Sequence, residues 1–298
     1  MRYLLVVLLL PSTAFGSALS ISSLGIDAVG LLGPDNEALD GSGVKIGQVE
    51  SLRPADPDVD DAIVATSVDP AQVWLQQQNP LEDIFGLTGG ETATAINHAT
   101  AVASVMISTD AVARGVAPGA SLYADGYVST AATDHIEPLL AIQKVLTASG
   151  GDVRAINNSW GKEFPGASGG SQLALGVDWM ATKHDSLLIF ALNPTDARED
   201  YDSPGDNFNG ITVASAERID GAGSWRRMAA TNDIEPFYDS YHYEVDLIAP
   251  GENDIDLVGI GGFARTGNGS SYAAPHVTGT VALLSQYAKL ELAKPATT

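Results

Sequence analysis

Short runs of β-branched residues alternate with longer helical patterns through most of this 298-residue chain, from about Gly41 onward. The apolar runs that we predict as strands cover 44–49, 121–124, 153–157, 187–192, 211–214 and 245–248. The helical patterns cover 98–107, 136–147, 171–184 and 271–290. Such alternation is typical of a parallel sheet with helices on both faces, where the strands are continuously apolar because they are covered on both sides. The sequence therefore predicts an α/β fold with a doubly wound, mostly parallel sheet.

The composition excludes several kinds of site. The chain has no cysteine, so it has no disulfide framework, no thiolate nucleophile and no cysteine-ligated metal. Its 15 basic and 37 acidic side chains give a formal charge of −22. A chain this acidic repels the phosphate backbone, so we expect no nucleic-acid partner. With 45% apolar and 17% charged residues, it is not a disordered chain.

The first 16 residues have the pattern of a secretory signal peptide. Arg2 precedes the apolar run 4–10, and small residues follow at Ala14 and Gly16, as such peptides require. A short buried helix is the alternative, which Pro11 disfavours. We expect residues 17–40 to form a linker, residues 41–298 to form one domain, and the mature protein to be secreted. No stretch approaches the length needed to span a bilayer.

Three polar residues stand at the ends of predicted elements. Ser271 opens the last helix, where unpaired N–H groups and the positive end of the helix dipole stabilise an alkoxide or an oxyanion. His98 begins an earlier helix of small residues, and Glu50 ends the first strand. Taken singly, each has a simple structural interpretation as a cap or a surface residue. Together they have the acid–histidine–serine order of the subtilisin arrangement.

At these residues the sequence resembles the subtilase family of subtilisin-like serine proteases. The segment 269–277, GSSYAAPHV, resembles the block G-T-S-M-A-A-P-H-V, and the segment from His98 resembles H-G-T-x-V-A. Residues 157–161, NNSWG, are similar to N-x-S-x-G, and Asn193 ends a segment similar to A-G-N. Residues 245–251 resemble V-x-A-P-G. The blocks keep the family's order from about residue 41 to residue 290.

The resemblance implies a subtilisin-like fold and a serine endopeptidase that hydrolyses peptide bonds through an acyl-enzyme on Ser271. His98 would be the general base and then the general acid, Glu50 would orient His98, and Asn193 would donate to the oxyanion. An extended backbone would pair with the substrate at Ser159, Trp160 and Gly161. We expect protein or peptide substrates, a monomer and no required cofactor.

An acidic run follows the first strand, with carboxylates at Asp56, Asp58, Asp60 and Asp61. Such a run is usually a solvated surface loop. A structural calcium site is the functional alternative, because hard cations bind clustered oxygens. The spacing does not match an EF-hand.

The chain also departs from the family's pattern. Glu50 stands where the family has Asp, so the carboxylate is one methylene further from the strand; Asp56 or Asp58 is the alternative partner for His98. Ala99 and Leu192 replace glycines and add bulk that we expect near the substrate groove. Only about 27 residues follow Ser271, so we expect a shortened C-terminal end. These departures leave a second hypothesis, a pseudoprotease that binds peptides without cutting them. A sedolisin-type acid peptidase would also use Glu, but the histidine block disfavours it.

Overall fold

The computed structural model describes residues 32–35, 37–51, 54, 73–75, 89–110, 113–127, 136–148, 150–165, 171–192, 200–218, 225–227, 245–252, 255–259 and 264–293. In chain order, its strands are β1 (Lys45–Glu50), β2 (Val73–Leu75), β3 (Ser121–Gly126), β4 (Val153–Asn158), β5 (Lys162–Pro165), β6 (Leu187–Ala191), β7 (Asp200–Ser203), β8 (Ile211–Arg218), β9 (Trp225–Arg227), β10 (Leu247–Pro250), β11 (Ile255–Val258) and β12 (Ala264–Gly267). Its helices are α1 (Gly89–Ile107), α2 (Ile136–Ala148), α3 (Gln172–His184) and α4 (Ser270–Ala293).

The main sheet has the order β10-β8-β6-β4-β1-β3-β2, and all of these neighbours pair in parallel. The short strand β9 pairs antiparallel with β8. Two small antiparallel pairs, β5 with β7 and β11 with β12, lie outside this sheet. The prediction of a doubly wound, mostly parallel α/β fold is confirmed.

The two faces of the sheet are covered by different helix pairs. One core cluster joins Ile46 of β1 and Leu122 of β3 to apolar residues of α1 and α4. The other joins Val49 of β1 and Phe190 of β6 to residues of α2 and α3. Neighbouring strand residues point to opposite faces, so the even-numbered residues of β1 face α1 and α4. This alternation decides which side chains of β1 can reach the helix that carries His98.

The predicted strands and helices are all present, with ends that differ by a few residues in most cases. One larger prediction is wrong. The first predicted helix starts at residue 98, but α1 already begins at Gly89, nine residues before His98, and β2 lies between β1 and α1, where no strand is predicted. The segment 89–96 contains two glycines and two threonines, residues of low intrinsic helix propensity. Sequence pattern alone therefore favours a loop there.

The predicted junction between linker and domain, at residues 40 and 41, is hydrogen-bonded to the last helix. The Gln286 side chain of α4 accepts hydrogen bonds from the backbone N–H groups of Asp40 and Gly41, at 2.9 and 2.7 Å. Leu39 is part of the core cluster between the sheet and α4. Among the described helices, none is both long and apolar enough to cross a membrane.

The strand order reverses beside β1. From β1 the chain builds one half of the sheet through β2 and β3, then crosses to β4 on the other side of β1 and continues to β10. Ligands of such sheets bind at the carboxyl ends of the strands near this switch point. Glu50 ends β1 and Ser159 directly follows β4, so two of the predicted site residues lie there.

Candidate active site

Glu50 and His98 form a direct pair. The His98 Nδ1 and Glu50 Oε2 atoms are 3.2 Å apart, and the Glu50 side chain is 3% exposed while that of His98 is 34% exposed. The carboxylate thus contacts Nδ1, so Nε2 is the ring nitrogen left to exchange a proton with a substrate or a nucleophile. The structure brings together the two residues that the sequence pairs, although the acid is a glutamate.

The pair has coupled acid–base properties. Burial raises the pKa of Glu50, and the neighbouring His98 ring opposes that rise. Burial would lower the pKa of His98, but the hydrogen bond and the charge of Glu50 outweigh it, so this pKa lies above its ordinary value of 6.5. The Arg265 charge on β12 acts against Glu50 and lowers the pKa of His98. The imidazolium form is therefore held by one buried carboxylate.

A side chain that the sequence analysis missed also joins β1 to α1. The Gln48 Nε2 group donates a 2.8 Å hydrogen bond to the carbonyl oxygen of Ala99, the residue after His98. Gln48 is fully buried. The only local signal was a polar residue inside an apolar strand, two positions before Glu50.

The serine lies in the first turn of α4, which begins at Ser270. The preceding Gly269 has φ +132°, a backbone conformation that residues with a Cβ rarely adopt. Its N–H donates to the carbonyl of Gly251 at 2.6 Å, and its own carbonyl accepts from Tyr272 N–H at 3.0 Å. These main-chain contacts fix where the helix starts and place Ser271, which is partly exposed, near unpaired helix N–H groups.

A contact from β4 completes the first turn of α4. Pro275 stands four residues after Ser271 and has no N–H, so the Ser271 carbonyl lacks its usual helical partner. The Ser159 hydroxyl donates to that carbonyl at 2.8 Å instead. The Asn157 side-chain amide donates to the Ser159 oxygen at 2.9 Å. A chain of two side-chain hydrogen bonds therefore connects the end of β4 with the serine.

The serine and histidine halves meet at Tyr272. The His98 and Tyr272 rings lie with their centroids 5.8 Å apart and are tilted by 42°. Because Tyr272 follows Ser271, this contact places the histidine ring beside the start of α4. The hydrogen bonds of the described residues do not include one between the Ser271 hydroxyl and His98. The second histidine of the serine block, His276, is buried, and this burial lowers its pKa to about 4. Its Nδ1 atom lies 2.7 Å from the Tyr272 carbonyl oxygen within the same helix, so its role is structural.

The predicted substrate segment follows β4. Ser159 is turned toward the serine, Trp160 is buried between the rings of Tyr127 and Phe190, and Gly161 is exposed. The Trp160 indole N–H has no hydrogen-bond partner within the described part of the chain. The Ala99 and Leu192 side chains, which we expected to narrow the groove, are instead 0% and 6% exposed and belong to the interior.

Several predicted residues lie outside the described part of the chain. These are the oxyanion donor Asn193 and the acidic run Asp56, Asp58, Asp60 and Asp61. Within the ranges that are described, no three histidine or acidic side chains cluster as a metal site would require. The predicted oxyanion hole and the predicted calcium site therefore stay predictions.

Comparisons with known proteins identify the family. Residues 43–297 match the subtilase family. The chain is 29% identical to Subtilisin Savinase of Lederbergia lenta over 262 residues and 25% identical to Subtilisin BL of the same organism over 263 residues. Each of these alignments covers 88% of this chain and 83% of the relative.

Solved structures share the fold. The prenylagaramide maturation protease PagA superimposes with a TM-score of 0.60 at 19% identity, over 85% of this chain and 78% of that chain. A cold adapted subtilisin-like serine proteinase superimposes with a TM-score of 0.56 at 21% identity, over 91% and 84% of the two chains. At these identities the likeness concerns the fold alone. With the family match over residues 43–297, the chain belongs to the subtilase family of serine proteases.

Proposed function

We propose that the protein is a secreted serine endopeptidase that hydrolyses peptide bonds through an acyl-enzyme on Ser271, with His98 as base and Glu50 orienting His98. The observation that carries this proposal is the 3.2 Å contact between Glu50 Oε2 and His98 Nδ1 at the carboxyl end of β1. It supports Glu50, rather than Asp56 or Asp58, as the partner of His98. A site that had decayed to peptide binding alone would have no need of this buried pair.

The proposed reaction uses the three residues in turn. Ser271 Oγ attacks the substrate carbonyl carbon while His98 Nε2 takes its proton, because a hydroxyl is a weak nucleophile until a base removes that proton. The Glu50 carboxylate stabilises the resulting imidazolium. As the tetrahedral intermediate collapses, the C–N bond breaks and His98 returns the proton to the leaving amine. Water then attacks the ester with His98 again as base, which releases the carboxylic acid and restores Ser271.

The negative charge on the tetrahedral oxygen needs preorganised donors. The N–H of Ser271, in the first turn of α4, is one candidate. We propose the side-chain amide of Asn193 as the second, on the strength of its position after the strand β6. Removal of one such donor costs on the order of 10²–10³ in turnover, a value known for subtilisin itself.

The sequence supports our proposals on secretion and substrate class. The pattern of residues 1–16 supports export, and the family supports protein or peptide substrates. We propose that the enzyme acts as a monomer and requires no cofactor, with calcium at the acidic run as a candidate structural ion. An export assay of the full chain fused to a reporter tests secretion. The same fusion without residues 1–16 is its control and should not be exported.

An activity-based probe tests the catalytic proposal. A fluorophosphonate reacts with an activated serine hydroxyl, so we expect it to label the wild-type protein and not Ser271→Ala. Ser270→Ala is the matched control, since it removes the adjacent hydroxyl and should keep labelling. Folding of each protein is checked by circular dichroism. A well-folded wild type that takes up no label would overturn the proposal in favour of a peptide-binding pseudoprotease.

A further inference from the structure

Gln48 is a buried polar side chain at a place where an apolar one would be less costly. It is fully buried on β1, and its Oε1 atom has no hydrogen-bond partner within the described residues. Its Nε2 group donates a 2.8 Å hydrogen bond to the Ala99 carbonyl. A buried amide with an unpaired oxygen loses free energy of hydration that one hydrogen bond only partly replaces. The side chain is thus a poor source of stability, and its effect lies in where it holds α1.

Gln48 and Glu50 form a matched pair of connections. They point to the same face of β1, because strand side chains alternate with a period of two. Their terminal atoms lie the same number of bonds from the strand. They contact consecutive residues of α1: Glu50 binds the ring of His98, and Gln48 binds the carbonyl of Ala99. Two side chains of equal length therefore connect this strand to this helix, one through the ring of His98 and the other through the backbone carbonyl of Ala99.

The length of this gap matters for the acid. An aspartate at position 50 would place its carboxylate about 1.5 Å nearer to β1, the length of one C–C bond. It would reach His98 only if α1 lay closer to the strand. Gln48 opposes such an approach, because its amide lies between β1 and the Ala99 carbonyl and is hydrogen-bonded to that carbonyl.

We propose that Gln48 is a positioning residue that sets the separation of β1 and α1 at which a glutamate, and not an aspartate, meets His98. The inference rests on the proposed function for its catalytic consequence. Its geometric part concerns only the Glu50–His98 contact and can be measured without catalysis.

The pKa of His98 reports that contact. Among the residues that the structure describes, the charged and titratable groups that face its ring are Glu50 of β1, Arg265 of β12 and the phenol of Tyr272 in α4. Gln48→Met keeps the side-chain length and adds no charge, while it removes the hydrogen bond to Ala99. The Gln48 amide also lies near enough to Glu50 to favour its charged form. Gln48→Met therefore removes both the bond to Ala99 and the amide beside Glu50. Each loss weakens the stabilisation of the His98 imidazolium by Glu50 and so lowers the pKa of His98.

NMR titration of His98 in the Ser271→Ala protein is the first test, because it needs no activity. We expect Gln48→Met to lower the pKa of His98 by about half a unit or more, a roughly threefold change in the ionisation constant. Ser104→Ala is the matched control. It removes a buried hydroxyl of α1 that bonds Ala101 O at 2.6 Å and Val258 N at 3.0 Å, away from His98. An equal pKa in all three proteins would overturn the proposal.

A length swap is the second test and covers the case in which Gln48→Met does not fold. We expect Glu50→Asp alone to lower kcat with KM little changed. The double variant Gln48→Asn/Glu50→Asp shortens both side chains, so that α1 can approach β1. We expect its kcat to be at least threefold higher than that of Glu50→Asp. A double variant with kcat no better than that of Glu50→Asp would contradict the positioning role.

The two proposals fail in different ways. If fluorophosphonate does not label the wild type, the catalytic proposal is overturned, while the NMR titration still decides the role of Gln48. If labelling and kcat are those of an enzyme but the pKa and the length swap show no effect, only the positioning proposal is overturned.

Discussion

The serine half and the acid–base half of this site are held in different ways. The serine half, at the start of α4, rests mainly on main-chain contacts: the carbonyls of Gly251, Gly269 and Ser271 all accept hydrogen bonds there. The acid–base half rests on two side chains of β1 that reach across to α1. The half closer to the family's sequence pattern is thus fixed by backbone, and the half that departs from it is fixed by side-chain length. Substitutions should therefore act differently on the two halves.

The acid–base half should be the more sensitive to a single isosteric change. We expect Glu50→Gln to lower kcat by about 10⁴-fold, since the imidazolium loses its negative partner and the ring can adopt the wrong tautomer. Glu50→Asp keeps the charge at a shorter reach and should cost roughly tenfold, on the scale of one weakened charged hydrogen bond. Steady-state kinetics on active-site-titrated enzyme measures both. A Glu50→Gln enzyme within a factor of three of wild type would show that another carboxylate orients His98.

The serine half should instead be sensitive to backbone strain. At φ +132°, an alanine in place of Gly269 should cost about 1–3 kcal/mol and displace Ser271, which lowers both the free energy of unfolding and the rate of fluorophosphonate labelling. Gly150→Ala is the control. That glycine also has positive φ, at +76°, but lies in the turn after α2. Chemical denaturation measures the loss of stability in each variant, and the labelling rate measures the displacement of Ser271. If both variants label like the wild type, the start of α4 is not fixed by Gly269.

A smaller effect is expected at the contact between β4 and α4. Ser159→Ala leaves the Ser271 carbonyl without a donor, because Pro275 has no N–H to supply one. A lost hydrogen bond of this kind costs about 1 kcal/mol, or roughly fivefold in kcat. Pro275→Ala restores a backbone donor, so Ser159→Ala/Pro275→Ala should recover part of the loss. If the changes in activation free energy, measured from kcat, are strictly additive for the two substitutions, the two donors do not serve the same carbonyl.

The sequence predicts these two halves unequally. The serine half is recognisable because its determinants are local: Gly269, Ser271 and Pro275 fall within seven residues. Glu50 and His98 are identified as candidates, but their meeting is only an expectation from chain order. That expectation needs the parallel sheet, which the alternation of short, continuously apolar runs with longer helical patterns predicts well.

Other features escape prediction for physical reasons. The contact of Gln48 with Ala99 joins residues 51 apart, and that of Ser159 with Ser271 joins residues 112 apart. Neither is encoded in a local pattern, since each depends on the distance between packed elements. The early start of α1 at Gly89 is not predicted for another reason, because the residues there have a low intrinsic helix propensity. The expectation that Ala99 crowds the groove was wrong because this residue is fully buried in the interior.

The pH dependence of kcat/KM in wild type and Glu50→Gln tests the central claim, that Glu50 holds His98, most directly. Activity should rise with pH through the pKa of His98, because only the neutral ring accepts the serine proton. Burial lowers this pKa, but Glu50 outweighs burial and raises it, so the wild-type midpoint should lie above pH 6.5. Glu50→Gln leaves burial and Arg265, which both lower the pKa, so its midpoint should fall below pH 6.5. The same midpoint in both enzymes would contradict the claim.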